Sequence, residues 1–334
     1  MAGIYTSIPT AADLILSVRS QIPDRAPDDD PALDGAAFRV DTLLRWVNDA
    51  GRLIAIAAPV IQDWFGLPSE AEQDVYELPS YIRSVEQLWY DLLPLGRSAE
   101  ADSIFSSKTT SRSWWMSPHS MHARPRIHVW PAPSGSGAAT TLNGALVSSA
   151  TTVTVADVSG FQEFGYAVID PGTEDEELVR YATVDYANNQ LKNVLRSQSA
   201  TVAPATWATA TAIHECNLFG KCYRLPRPLK RVADPLEIPQ GLWPLIELYV
   251  LSKVRESEQD HQTSMQLFTT FNQLKEQLAE KSQRERAAEA DPRVQEVLAR
   301  FPGAKVVEVR KLATEPPESD IVAEDPAESL DDDD

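Results

Sequence analysis

Residues 41–57 read DTLLRWVNDAGRLIAIA, and the spacing of their apolar side chains decides how the whole chain is read. Leu43, Leu44, Val47, Ile54 and Ala57 recur along one helix face, while Arg45, Asn48, Asp49 and Arg52 share the other. Asp41 can accept from free backbone N–H groups and starts the helix. Pro59 kinks or ends it, and Gly66 after Trp64 and Phe65 stops any continuation.

Other helical stretches lie at both ends. Upstream, Thr10 stands three residues before Asp13 in a capping-box arrangement, followed by Leu14, Ile15, Val18 and Ile22, with Pro23 and the Asp-rich residues 28–31 as terminators. Downstream, Leu236, Ile238 and Pro239 lead into Leu242, Leu245, Ile246 and Tyr249. Residues 255–264 form a polar interval with no breaker, and apolar spacing returns at Leu267, Phe271, Leu274 and Leu278. Two helices or one very long helix satisfy that pattern.

The middle differs in kind. Residues 75–93 form an aromatic and β-branched run broken at Pro79, and residues 126–130 form another extended piece before Pro131, Pro133 and the Ser/Gly linker 134–137. From about residue 140 to 213, Thr and Val alternate through 151–155, Gly160 and Gly165 punctuate, and strands are predicted at 166–169, 178–184 and 190–195. Asn188 and Asn189 tolerate the positive φ of a tight turn between the last two. The predicted result is a compact all-β module inserted into a helical host.

A chain of 334 residues is long enough for a core plus such a module. Its formal charge is −19, and residues 313–334 alone hold ten acids and no base, leaving −9 for the rest by subtraction. That tail has too few apolar groups to offset its ordering entropy and is predicted to be disordered. An acidic body repels phosphate, which argues against tight DNA binding by its bulk surface. Cys216 and Cys222 fit neither a zinc nor a redox spacing and read as thiols or one local bridge. The longest apolar stretch, residues 53–61, is far short of a membrane span, and no signal segment leads the chain, so a soluble protein made in a cytoplasm is expected.

These pieces, in this order, resemble the head-to-tail adaptor (connector) proteins of tailed bacteriophages, especially short-tailed ones. The residues that carry the resemblance are Asp13-Leu14-Ile15 with Val18-Arg19, Leu43-Leu44-Arg45-Trp46-Val47-Asn48-Asp49-Ala50, and Glu237-Ile238-Pro239 with Leu245 and Tyr249. The middle module separately looks like a small β-domain of phage structural proteins, through residues 150–155, 159–161, 165–170, 177–181 and 194–196. Shorter adaptors lack that insertion, so its partner does not carry over.

The resemblance implies an α+β multidomain protein. Its helical-bundle adaptor core would span 1–137 and 212–290, with an inserted small all-β domain at 138–211 and a C-terminal arm and disordered acidic tail at 291–334. It further implies a structural virion protein at the head-tail interface: a ring of roughly twelve subunits below the portal, built on heterologous self-contacts. The implied partners are other copies, the portal protein, a tail nozzle or hub, tail fibres, and genomic DNA passing without specific binding. No cofactor is implied. Arg45, Trp46, Asn48 and Arg52 of the second helix, Tyr249 of the late helix, and Lys221, Arg224, Arg227, Lys230 and Arg231 are the candidate subunit or portal contacts. Alternatives are a tail-fibre or baseplate attachment protein and a tail-resident cell-wall hydrolase.

Each remaining constellation has a plainer reading beside the functional one. Residues 103–156 contain no acid but hold Lys108, Arg112, Arg124 and Arg126, and the second acid-free stretch, 216–233, contributes the five bases already named. Docking onto an acidic neighbour or brushing DNA phosphates is one reading, and a solvated loop is the other. His119, His122 and His128 could suggest a metal but have prolines between them and no carboxylate among them. Asp170 with residues 174–177 lacks the alternating ligands of a calcium loop and reads as a charged hairpin tip. Trp114 and Trp115 read as an adhesive surface or as packing under a long loop. Glu70, Glu72 and Asp74 are nominal glycan-cleaving carboxylates. No phosphate loop, nucleophile elbow or metal-ligand helix appears, so no enzymatic activity is expected.

Overall fold

A computed structural model describes residues 10–22, 38–97, 112–117, 124–173, 176–198, 206–289 and 291–300. The acidic tail, Lys108, His119, His122 and Glu174 lie outside them. The described residues divide after Ala279 into two compact units.

The helical segments form much as their spacing requires. Helix α1 spans Ala11–Ser20, and the Thr10 N–H donates to Asp13 Oδ2 at 2.8 Å, one half of a capping box. Helix α2 spans Val40–Ala57 with Arg39 at its N-cap, so Asp41 sits in the first turn as a dipole partner and not as the cap. A 3₁₀ turn at Gln240–Leu242 leads into α3, Trp243–Ser257, and then α4, His261–Glu289. The polar interval is a true break: Gln259 adopts φ +64°, and Asp260 Oδ1 accepts from the Thr263 N–H at 3.2 Å to restart the helix. In the second unit, helix α5, Pro292–Arg300, begins with the Arg293 N–H donating to Asp291 Oδ1 at 2.8 Å.

Helices from both ends of the chain share one core. Leu14, Ile15 and Val18 of α1, Leu43, Leu44, Val47 and Ile54 of α2, Ile246, Val250 and Val254 of α3, and Phe271 of α4 are all buried in it, joined by Leu229 and Ile238.

The expectation of a helical-bundle core bearing one small inserted all-β domain is corrected by what lies between these helices. Fourteen strands in three sheets dominate the described residues. Strands β1 (Gln62–Leu67), β2 (Val75–Glu77), β3 (Ile82–Tyr90), β4 (Leu93–Arg97), β5 (Ser113–Ser117) and β6 (Arg126–Trp130) join β14 (Leu218–Arg224) in a seven-stranded sheet, ordered β1-β14-β3-β4-β5-β6-β2. Every pairing in it is antiparallel except the short β4–β5 contact. Its own core gathers Phe65, Leu78, Ile82, Val85, Leu88, Trp114, Ile127, Leu218 and Cys222.

Helix-like spacing in β3 has a physical cause. Its pairing with β14 skips Glu86 and Arg83, so β3 carries two extra residues and its inward side chains fall at Ile82, Val85 and Leu88. An interval of three is also a helical interval. Strand β1, meanwhile, occupies the Trp64-Phe65-Gly66 segment read as a stop after α2.

The smaller β region folds around Leu142, Val153, Val155, Ile169, Val179, Tyr181, Leu191, Trp207 and Ile213. Its strands are β7 (Ala139–Thr141), β8 (Thr152–Thr154), β9 (Gly165–Ile169), β10 (Glu177–Tyr181), β11 (Thr183–Asp185), β12 (Gln190–Lys192) and β13 (Ala212–Cys216). They make a four-stranded sheet, β10-β9-β13-β7, and a three-stranded one, β11-β12-β8. Asn189 takes φ +52° in the turn between β11 and β12. The predicted run at 178–184 is split at Ala182 between the two sheets, and β13 extends the module past residue 211.

Gly220 sits centrally in β14, where an added Cβ would stand 2.8 Å from the Phe65 ring and closer still to the Gln87 carbonyl oxygen. Gly220→Ala is therefore expected to destabilise the protein by about 1–3 kcal/mol through overpacking, read as a lower urea midpoint.

Candidate functional site

The outward stripe of α2 and the segment that crosses it, residues 225–231, bring together most of the candidate contact residues. Burial of Leu44, Val47 and Ile54 turns Arg45 and Arg52 to solvent, with Ile56 beside them at 46% exposure. The crossing segment is clasped by Asn48: its Nδ2 donates to the Leu229 carbonyl at 3.0 Å, and its Oδ1 accepts from the Leu229 N–H at 2.8 Å. A groove of about 250 Å³ opens on one side, lined by Arg45, Asp49 and Lys230. A second, of about 350 Å³, is lined by Arg52, Tyr81 and residues 225–228.

The acid-free stretch is not a free loop. Arg224 is 5% exposed; its Nε donates to Asp63 Oδ2 at 2.7 Å, and its two terminal nitrogens donate to Glu237 at 2.8 and 3.0 Å. Burial alone would pull the Arg224 pKa down, but hydrogen bonding to Glu237 and then Asp63 outweighs it and holds the group above its ordinary value. Burial likewise pushes Glu237 up, and the Arg224 bond overrides it, leaving that carboxylate below the usual range. Glu237 also accepts from the Arg227 N–H at 2.8 Å. The Asp234 carboxylate accepts from the Lys230 and Arg231 N–H groups at 2.7 and 2.9 Å, and the Asp234 and Val232 carbonyls accept from Ala11 and Ala12 at the start of α1. The segment is thus a strap tying α1, α2 and β14 together, with Lys230 and Arg231 left exposed.

The remaining candidates lie elsewhere. Trp46 packs on Phe38 with ring centroids 5.9 Å apart, and Tyr249 is buried against Phe271 at 5.2 Å. Lys221 sits 5.4 Å above the Trp64 ring. None of the three lines the α2 grooves.

Other constellations take structural roles. Trp114 is 1% exposed in the sheet core, whereas Trp115 stacks on His128 at 4.7 Å on the opposite face. Among the described residues no cluster of His, Cys, Asp or Glu is arranged to hold a metal. Glu177, read as a hairpin tip, is fully buried. Arg196 grips it with two bonds of 2.6 Å, and Trp207 Nε1 donates to it at 2.8 Å. Both cysteines are free and buried; burial raises Cys216 well above the ordinary thiol value and pushes Cys222 up to about 12. No described helix is long and apolar enough to cross a membrane.

Sequence reasoning missed Asp63 and Glu237 as partners of the basic stretch, because both acids lie outside it. A scan against models of known protein families matches none, and a search of curated proteins finds no match.

Arg224→Met is expected to cost about 3 kcal/mol at neutral pH, since it strands two partly buried carboxylates. In the parent protein the depressed pKa of Glu237 makes the folded state bind fewer protons than the unfolded one. Its contribution is therefore present above the ordinary carboxylate range and is lost as pH falls through the folded value. Acid unfolding followed by circular dichroism should show a shallower acid limb in the variant.

Proposed function

We propose that this protein is a structural, non-enzymatic component of a tailed-phage virion: a head-to-tail adaptor that forms a ring below the portal and surrounds the DNA path. One observation carries the reading. The residues that resemble adaptors are scattered from Leu14 to Tyr249, yet Leu14, Ile15, Val18, Leu43, Leu44, Val47, Ala50, Ile238 and Tyr249 all belong to one buried cluster. That shared cluster supports reading these residues together as one unit. Its outward stripe, Arg45, Asn48 and Arg52, with Lys230 and Arg231 on the strap, supplies one side of a self-contact or a portal contact; a closed ring needs a second, different face.

The passage of DNA needs a wall that does not grip. Arg224 and Arg227 of the acid-free stretch are ion-paired within the chain and Lys221 lies over the Trp64 ring, which agrees with that requirement. Weak DNA retardation that disappears at moderate salt is expected of the purified protein.

The prevalence of strands favours a second reading, a tail-fibre or baseplate attachment protein. Pull-down with tail fibre but not portal would favour it, and clearing of peptidoglycan by the wild type would favour the hydrolase.

Mixing the chain with portal rings and counting bound copies by native mass spectrometry tests the adaptor reading; roughly twelve copies are expected, and no binding overturns it. The double variant Arg45→Glu, Arg52→Glu should reduce the count while changing stability by no more than about 0.5 kcal/mol, because both side chains are exposed.

A further inference from the structure

We propose that the joint between the small β-module and the seven-stranded sheet is a protonation-gated latch, closed while Glu215 is a neutral carboxyl and loosened when it ionises. Glu215 is 3% exposed in β13, one residue before the chain passes toward β14. Its Oε1 accepts from the Gln162 N–H at 2.6 Å and from the Tyr181 hydroxyl at 3.0 Å. Both donors are neutral, and among the described residues no ion pair to a base is formed.

Burial and the Asp91 carboxylate oppose its ionisation, whereas the Tyr181 hydroxyl and the backbone donors favour it. Tyr181 faces it from β10, Cys216 is its neighbour in β13, Asp91 approaches from the β3–β4 turn, and Ala167 lies opposite in β9 with no charge. Asp91 belongs to the sheet side of the joint and is tied to the same loop, because Gln162 Nε2 donates to Asp91 Oδ1 at 3.2 Å. One residue therefore holds two carboxylates from the two sides of the joint.

The backbone crossings meet here too. The Asp91 N–H donates to the Asn217 carbonyl at 3.0 Å, the Ser69 N–H to Asn217 Oδ1 at 2.9 Å, and the Gly137 N–H to the Ser69 carbonyl at 3.0 Å. Burial first, and then the nearby Asp91 charge, raise Glu215 above the ordinary carboxylate range, against the lowering effect of its hydrogen bonds. The folded state consequently binds more protons than the open one between the ordinary and raised values. Closure is favoured below that window and weakens as pH rises through it.

Hydrogen exchange on the full chain tests this, following amides 161–164 and 215–217 from about pH 4, near the ordinary carboxylate value, to about pH 9, after correction for intrinsic exchange. In the wild type the opening equilibrium should grow about tenfold for each pH unit by which Glu215 is raised. Glu215→Gln keeps an acceptor at Oε1 and should stay closed across the range. Asp91→Asn tolerates the φ of +48° at that position and should move the onset to lower pH with a smaller rise. A wild-type opening equilibrium that ignores pH, or a Glu215→Gln variant that opens with the same profile, overturns the latch. Should Glu215→Gln fail to fold, the Glu215 side-chain carboxyl is titrated by NMR in the wild type, and an ordinary value there overturns it equally.

Discussion

The structure depends on one close approach, where β13 runs into β14 with only Asn217 between them. There the small module's sheet and the seven-stranded sheet come face to face around Trp64, Trp89, Tyr166 and Phe219. The Trp89 and Phe219 rings stack at 5.9 Å, and Trp64 lies 5.9 Å from Tyr166. These rings supply apolar area on the face of β1, β14 and β3 opposite the sheet's own core, so these strands are buried on both sides. Gly66 makes the approach possible, since a Cβ there would stand 2.8 Å from that of Cys216. The module is therefore a second layer on the sheet and not a free appendage, although its core is its own.

The helical slab is closed by a different means. Its elements come from sequence positions more than two hundred residues apart, and apolar packing alone does not choose how the returning chain crosses α2. The Asn48 clasp and the Arg224 ion pairs make that choice, because each is satisfied in one register only. Arg224 also links the two halves of the design: it lies in the last position of a sheet strand, binds Asp63 in β1, and reaches Glu237 ahead of the late helices. A sheet strand is thereby fixed against the strap that caps α1.

How much of this was readable from residues alone follows from what each pattern can encode. The helices were, because α1, α2 and α4 each expose one face to solvent and keep the 3.6-residue period intact. The break at Gln259 was not, because no glycine or proline marks it; a left-handed glutamine followed by Asp260 does the same work. The module's strands were found through the Thr/Val alternation at 151–155. The extended readings at 75–93 and 126–130 hold in β2, β3 and β6, but their union into one sheet stayed hidden, since β1 and β14 were not read as strands and pairings such as β1–β14 and β3–β14 join residues far apart in sequence. Charge was misread for a related reason: a stretch without acids looks basic in one dimension, while Asp63, Asp234 and Glu237 pair with it in three.

Two buried glutamates in one small module show why burial alone says little about electrostatics. Glu177 and Glu215 are both withdrawn from water, and desolvation raises both. For Glu177 the hydrogen bonds of Arg196 and Trp207 overcome that effect and bring it below the ordinary range. Glu215 has only neutral donors and a carboxylate nearby, and it ends above. Their linkages to folding therefore oppose each other. Stability from Glu177 is lost as pH falls through its depressed value, and stability from Glu215 is lost as pH rises through its elevated one. The two windows lie on either side of the ordinary carboxylate value, so the module carries a penalty for Glu215 at neutral pH that Glu177 does not share. What separates the two is the partner each carboxyl meets, since the Arg196 guanidinium offsets the burial of Glu177 while Glu215 meets no base among the described residues.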